Sequence, residues 1–597
     1  MREDARRRFT FGFTVENRTV RLWFSGRADV LVSDPFDFVS KPELLLEFFT
    51  TVMYARTEDL GWDPTMSLVH DVNGKHQYDI QVTVPTSPKP VVYRTIRLIS
   101  NVGACVLRGR GTRVWEVQQL DANGGATGAP RVLKDSWPDS DRPREGEVLK
   151  QVLKDVGPKE DVQKFFLTIA AEGDVAIRDG ESVDQTLPED RRQRLCARSD
   201  GRPPLRFDLT KEDRSERGAQ KMNKFYRSLG AEIRGSQVSS YSASQHRAQA
   251  PVRYSPKTHH RIVFEEVCNS LHETSDLTAI LMCLRNVCQP LQMMHEAGWV
   301  HRDISAGNIL FTIVNGVLQV KLSDLEYAKR YNQTDDLSTA HEVRTGTQEF
   351  MAVEVNEQTY LFGDSTAYAA GYLDAFGPVQ ANPLYFDPTA FPPQIPSASS
   401  TLTIGTVDKP ALRHNPLHDL ESIWWLLAFV VFNKDLKLVL RDPKFTLPAS
   451  LIETPQARFT RLIAQEKFAN SIFLDGTKRL PVFIAPDMRI FVQDCLHPAL
   501  KPLATLINGI RAQLVDAYRA AEKDLSKIDY ASAKGIYKNI SLALLSAIPF
   551  SNAQLYSIHV PCSIAYALHM DSEATAASVS SKPTKRKPTA DLKDESG

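Results

Sequence analysis

Two runs of six strand-forming residues, Ile309 to Val314 and Val317 to Leu322, are separated by Asn315-Gly316. A two-residue Asn-Gly loop accepts positive φ at both positions and closes a hairpin whose twist matches its strands, so the segment has few alternatives. With those residues as the loop, Val314 faces Val317, Asn308 faces Ser323 and Gly307 faces Asp324. Adjacent and diagonal cross-strand neighbours lie roughly 5 to 8 Å apart, so the Asn308 amide and the Asp324 carboxylate are expected at the same open end.

Asp303 lies just before this hairpin, in His301-Arg302-Asp303-Ile-Ser-Ala-Gly-Asn308. Two hard oxygen donors suit magnesium bound to a polyphosphate, because Mg²⁺ keeps several waters and takes few protein ligands. Asp303 would then accept the proton of an attacking hydroxyl. The plain alternative is three polar side chains that satisfy a turn.

The chain has 597 residues, 42% apolar and 24% charged, which fits a globular protein with a substantial core. Length alone allows two to four domains, or fewer with large insertions. Seven scattered cysteines without a C-x-x-C pair suggest neither a disulfide framework nor a zinc site, so an intracellular home is expected. The most apolar stretch, Trp424 to Phe432, is too short for a membrane span, and no signal peptide is read at the N-terminus. Net charge is zero, yet residues 191–260 hold sixteen Lys/Arg against six Asp/Glu. Such runs are usually solvated loops, and no nucleic-acid role is expected. The basic stretch 582–588 in the tail favours the nucleus over the cytoplasm only weakly.

Period-two alternation marks strands from Phe9 to Phe38 and from Ile80 to Lys134, with helices near 42–55 and 146–156. The stretch 189–260 reads as a polar insertion, partly disordered. A one-face helical pattern runs from Leu277 to Met294, where Pro290 should kink or break it and Gly298 should cap it. Leu420 to Phe432 is apolar on nearly every side and reads as a buried helix.

The spacing H-R-D-x-x-x-x-N followed by Asp324-Leu-Glu resembles the protein kinase catalytic loop and metal-binding segment. Gly346-Thr-Gln-Glu-Phe-Met-Ala-Val-Glu354 resembles the end of an activation segment, and His418-Asp419-Leu-Glu-Ser-Ile-Trp-Trp a helix whose aspartate braces the catalytic loop. This wording, with R-L-W-F and D-P-F-D-F between Arg21 and Phe38 and R-G-T-R-V-W at 110–115, is similar to the fungal-type protein kinase domain family.

The resemblance implies an α+β, bilobal fold: a β-rich extension over 1–100 packed on the small lobe, an N-lobe over 101–272 carrying the insertion, a helical C-lobe over 273–569 and a disordered tail over 570–597. It implies ATP and Mg²⁺, an unidentified protein substrate, no membrane partner, and transfer to a protein hydroxyl. Asp303 would be the base, with Arg302 beside it, Asn308 and Asp324 the metal ligands, and His301, Glu354 and Asp419 structural supports. Leu107, Gly109, Gly111, Thr112 and Val114 resemble the glycine-rich phosphate loop, although read alone they form a β-turn, and the register could slip by one residue. Lys134 would grip the phosphates and pair with Glu147, Glu145 being the competitor; Phe264 with Glu265 and Val267 suits the gatekeeper and hinge. Ser305 stands where such kinases place a lysine, and Glu326 where they place a glycine. A nucleotide-binding scaffold and a small-molecule phosphotransferase are the rival readings.

Overall fold

The computed structural model describes residues 3–84, 87, 89–101, 109–158, 162–177, 182–197, 254–331, 346–363, 412–438, 453–474, 476–492, 495–525, 527–554 and 556–559. Leu107, most of the basic stretch and the tail lie outside the described residues. The chain divides into two compact units: described residues up to Asn269 join Leu310–Ala328 in the first, and the remainder form the second.

In the first unit, β1 (Thr10–Glu16), β2 (Thr19–Ser25), β3 (Val30–Val32) and β4 (Phe36–Asp37) make a small antiparallel sheet, followed by α1 (Pro42–Tyr54). A larger sheet is built from β5 (Met66–His70), β6 (His76–Val82), β7 (Val91–Ser100), β8 (Arg113–Leu120), β9 (Ala126–Ser136), β10 (Ile169–Asp174) and β13 (His260–Phe264), in the order β10-β13-β9-β8-β7-β6-β5. The boundary expected at residue 100 therefore does not separate two sheets. β7 pairs with β8 from Tyr93 against Gln119 to Ser100 against Val114, so β5 to β7 are members of the same sheet. Alternation puts Ile80, Tyr93, Trp115, Val117, Leu133 and Val263 into one buried apolar face, each fully buried side chain contributing about 1.5–3 kcal/mol.

Helix α2 (Glu145–Val156) follows β9, and the strands β11 (Ala176–Ile177) and β12 (Ser182–Val183) precede α3 (Glu189–Cys196). The first part of the stretch read as an insertion is thus helical, and Arg192 of α3 bonds Asp29 at 2.6 Å. At one end of the apolar face lies a buried ionic network. His259 bridges Asp135 (2.5 Å) and Asp184 (2.9 Å), Arg8 meets Asp184 at 2.6 Å, and Arg261 holds Asp63 at 2.5 Å.

Strand β14 (Asn269–Ser270) precedes α4 (Leu277–Glu296), whose Asp276 cap accepts the Thr278 and Ala279 N–H groups. Pro290 does not break α4. It removes one intrahelical donor, and the burial of Ile280, Leu281, Leu284, Val287, Leu291 and Met294 along one face outweighs that loss. Gly298, at φ 83°, ends the helix as expected. The strands β15 (Trp299–Val300), β16 (Ile309–Val314), β17 (Val317–Leu322) and β18 (Lys329–Arg330) follow. β16 and β17 are neighbours joined by Asn315 and Gly316, at φ 51° and 76°, the two-residue turn read from the sequence.

Next come α5 (Val353–Glu357) and α6 (Pro416–Phe432), the latter buried on nearly every side as expected. After β19 (Asp435–Leu438), the helices α7 (Pro455–Ala469), α8 (Arg479–Ile484), α9 (Lys501–Ala521) and α10 (Ala533–Gln554) precede β20 (Tyr556–His559). α10 packs on α4 and α9 on α6, where Trp424 Nε1 donates to the Ile507 carbonyl at 2.8 Å. The class is mixed α and β, sheet-rich early and helical later. Among the described residues, no helix is long and apolar enough to cross a membrane.

Candidate active site

In the first unit, β9 alternates Leu133 into the apolar face, Lys134 to the opposite face and Asp135 back again. Lys134 Nζ donates to Glu145 at 2.6 Å and to Asp324 at 2.8 Å. Burial alone would depress this ammonium, but the Asp324 and Glu145 carboxylates outweigh it and hold the lysine above its ordinary value, firmly protonated. The expected Lys134–Glu147 pair is not formed. Glu147 is exposed at the start of α2 and accepts the Arg144 N–H at 3.0 Å, so its carboxylate is used at the helix N-terminus.

Asp324 follows β17 in a left-handed conformation (φ 60°, ψ 54°), unusual for a side-chain-bearing residue and found where a fold holds a functional group in place. Glu326, two residues on, forms an ion pair with Arg110, which also lies over the Tyr327 ring. Gly109 (φ 142°) and Gly111 (φ 58°) shape the turn before β8; Thr112 follows, and Val114 stands opposite Lys134 in the ladder. Glu265 N–H donates to the Thr168 carbonyl at 2.9 Å, and Val267 is half-buried just beyond. Glu266, not singled out from the sequence, fixes this stretch through Thr168 (2.8 and 2.9 Å) and the buried Lys321 (3.0 Å).

In the second unit, Asp303 is held by three donors. Thr347 gives both its N–H and its hydroxyl to Oδ1, each at 2.9 Å, and Asn308 Nδ2 approaches Oδ2 at 3.2 Å while bonding the Asp303 carbonyl at 2.8 Å. Thr347 belongs to the Gly346-Thr motif, but nothing in the sequence signals that it bonds Asp303. Gly346 is required there, because at φ 113° a Cβ would lie 2.9 Å from the Arg302 carbonyl. Arg302 adopts φ 72°, and its N–H with that of His301 donates to the Asp419 carboxylate at 2.9 and 2.7 Å. Asp419 is buried, which raises its pKa despite these donors. The wholly buried His301 accepts the Asp303 N–H at 3.3 Å, so the loop bearing Asp303 is fastened at both ends.

Glu354 is buried beneath this loop's supports, accepting the Leu361 N–H at 2.8 Å and meeting His418 Nε2 at 3.1 Å. Its carboxyl also bonds that of Glu522, which the sequence did not reveal. Burial pushes Glu354 up to about 7, and burial beside Glu354 pushes Glu522 up to about 10, so the two share a proton at neutral pH. Glu421 accepts from Val353 N, Trp425 Nε1 and Tyr518 OH, each at 2.8 Å. Among the described residues, no group of three His, Cys, Asp or Glu side chains forms a metal cage.

A buried protonated lysine held by two carboxylates, and an aspartate oriented by a threonine and an asparagine on a loop that Asp419 anchors through two backbone donors, are parts suited to phosphate chemistry. Comparison with known proteins agrees. The chain is 32% identical over 85 residues to the probable serine/threonine-protein kinase PknB of Corynebacterium glutamicum, a match spanning 14% of this chain and 13% of that protein. The family model described as fungal protein kinase matches residues 1–431, and the chain belongs to that family.

Proposed function

We propose that the chain transfers the γ-phosphoryl group of ATP to a serine or threonine hydroxyl of a protein, with Lys134 and Asp324 of the first unit serving the nucleotide and Asp303 of the second serving the accepting hydroxyl. The observation that carries this reading is the orientation of Asp303, whose Oδ1 takes two Thr347 donors while Asn308 approaches Oδ2. A carboxylate fixed in this way is organised to accept the hydroxyl proton as the oxygen attacks the γ-phosphorus and the bond to the β-phosphate oxygen breaks. Lys134, kept charged by its carboxylate neighbours, would exchange part of that pairing for the α- and β-phosphates.

Toward Mg²⁺, Asp324 would offer a carboxylate; Asn308 directs its amide nitrogen at Asp303, so what it would offer a cation is its oxygen. The metal, when bound, would neutralise phosphate charge. Glu265 and Val267 would read adenine through backbone groups. Supporting the kinase reading independently is the family membership over residues 1–431.

A nucleotide-binding scaffold is the second reading, favoured by Ser305, which is buried and brings no cation near Asp303, and by Glu326 with its Arg110 partner. ADP release measured with and without protein substrates separates them. Substrate-stimulated ADP release supports the kinase; nucleotide binding without any turnover supports the scaffold.

A further inference from the structure

Arg113 and Asp135 face each other across β8 and β9, one step from the Val114–Lys134 pair, and so project to the opposite side of the sheet from Lys134. Against them lies Arg27, from the turn between β2 and β3. Its side chain is 2% exposed, yet Nε and Nη1 find no acceptor among the described residues. The nearby carboxylates are engaged elsewhere: Asp135 by His259 and Arg261, and Asp29 by Arg192. Burial and the like charge of Arg113 push the Arg27 guanidinium down to about 10. The Asp135 carboxylate offsets part of this, but Nε and Nη1 still lack an acceptor among the described residues, and a buried cation left in that state is costly, which favours an anion there.

Two more donors are orphaned around the same turn. Ser25 Oγ, two residues before Arg27, and Thr112 Oγ1, next to Gly111, are buried without partners among the described residues. The contact with the glycine turn is direct: Gly109 N–H donates to the Arg27 carbonyl at 2.9 Å, and a Cβ on Gly111 would lie 2.5 Å from the Arg27 guanidinium carbon. A guanidinium and two hydroxyls are donor types that bind a tetrahedral oxyanion.

We propose that Arg27, with Ser25 and Thr112, binds a phosphate-type oxyanion behind the glycine turn, at a site separate from Lys134, and that its occupancy fixes the Gly109–Thr112 turn to the N-terminal sheet. This extends beyond nucleotide binding and does not depend on phosphoryl transfer by the chain. The test is thermal unfolding of the full chain in sodium chloride and in inorganic phosphate at matched ionic strength. Wild type should gain about 2–4 °C in phosphate, as expected for a ligand that binds only the folded state. Arg27→Met should lose that gain and, in chloride, be no less stable than wild type, because it removes a buried cation whose Nε and Nη1 have no acceptor among the described residues. Lys134→Met should keep the gain. Equal Tm values in both salts, or an undiminished gain in Arg27→Met, would mean an adventitious ion only and overturn the proposal. Loss of the gain in Lys134→Met would relocate the anion to the nucleotide grip, and an Arg27→Met chain that unfolds early in chloride would make Arg27 a structural residue.

Discussion

A carboxylate that ligates a cation acts on bound nucleotide, whereas one that accepts a proton acts only once a hydroxyl is attacking. Asp324→Ala should therefore weaken Mg·ATP binding as well as turnover, while Asp303→Ala should leave nucleotide affinity nearly intact and lower kcat by about 10²- to 10⁴-fold. Titrating Mg·ATP into each variant alongside a transfer assay checks the division, and the reverse pattern would refute it. Glu145 and Glu147 separate as cleanly. Glu145→Gln removes a direct Lys134 partner and should cost about 10- to 100-fold in turnover. Glu147→Gln keeps an acceptor for the Arg144 N–H and should cost little, within about 0.5 kcal/mol of stability, with activity kept; equal activity losses would show that the lysine grip is not organised by Glu145. Asp303, Asn308, Asp324 and Asp419 stand out in the sequence as candidates because motif spacing carries them, and Lys134 because it ends a short apolar strand; the roles given them are proposals. The choice between Glu145 and Glu147 was not legible there, because it depends on where α2 begins, which the Arg144 cap decides.

At the scale of elements, the β16–β17 hairpin was readable because Asn-Gly leaves the backbone little choice, and the buried α6 because no polar stripe interrupts it. Pro290 misled, since a local rule about donors was outweighed by burial along α4. The His259 bridge could not be foreseen: it joins residues 135, 184 and 259, which only the completed sheet brings together. It makes a pH prediction. Although burial works against its charge, Asp135 and Asp184 raise His259 from 6.5 to about 9. Its contribution is therefore fully present below pH 6.5 and lost as pH rises to about 9, on the order of 3 kcal/mol. Thermal unfolding at pH 6, 7.5 and 9 should show a falling Tm that His259→Asn flattens. An unchanged pH slope in the variant would place the alkaline sensitivity elsewhere.

For the whole molecule, the main difference from the sequence reading is that strands before residue 100 are built into the seven-stranded sheet. Alternation marked strands from Ile80 onward but not β5 (Met66–His70), and pairing partners and order are non-local, so no local pattern encodes them. A chain beginning at Val102 would lack β5 to β7, leaving β8 as an open edge and stripping Met66, Ile80 and Tyr93 from the apolar face over Trp115 and Leu133. It should aggregate or unfold without cooperativity. A monomeric chain with wild-type Tm would mean that the first hundred residues are dispensable. The central claim is catalytic, and the most direct measurement is transfer of the γ-phosphoryl group from ATP, with magnesium, to serine- and threonine-bearing protein substrates or to the chain itself, comparing wild type with Asp303→Ala under conditions where both bind nucleotide. The account predicts labelled phosphoserine or phosphothreonine with wild type and a loss of at least about 10²-fold with Asp303→Ala; wild type that binds Mg·ATP and labels nothing, or an Asp303→Ala chain that labels equally well, would contradict it.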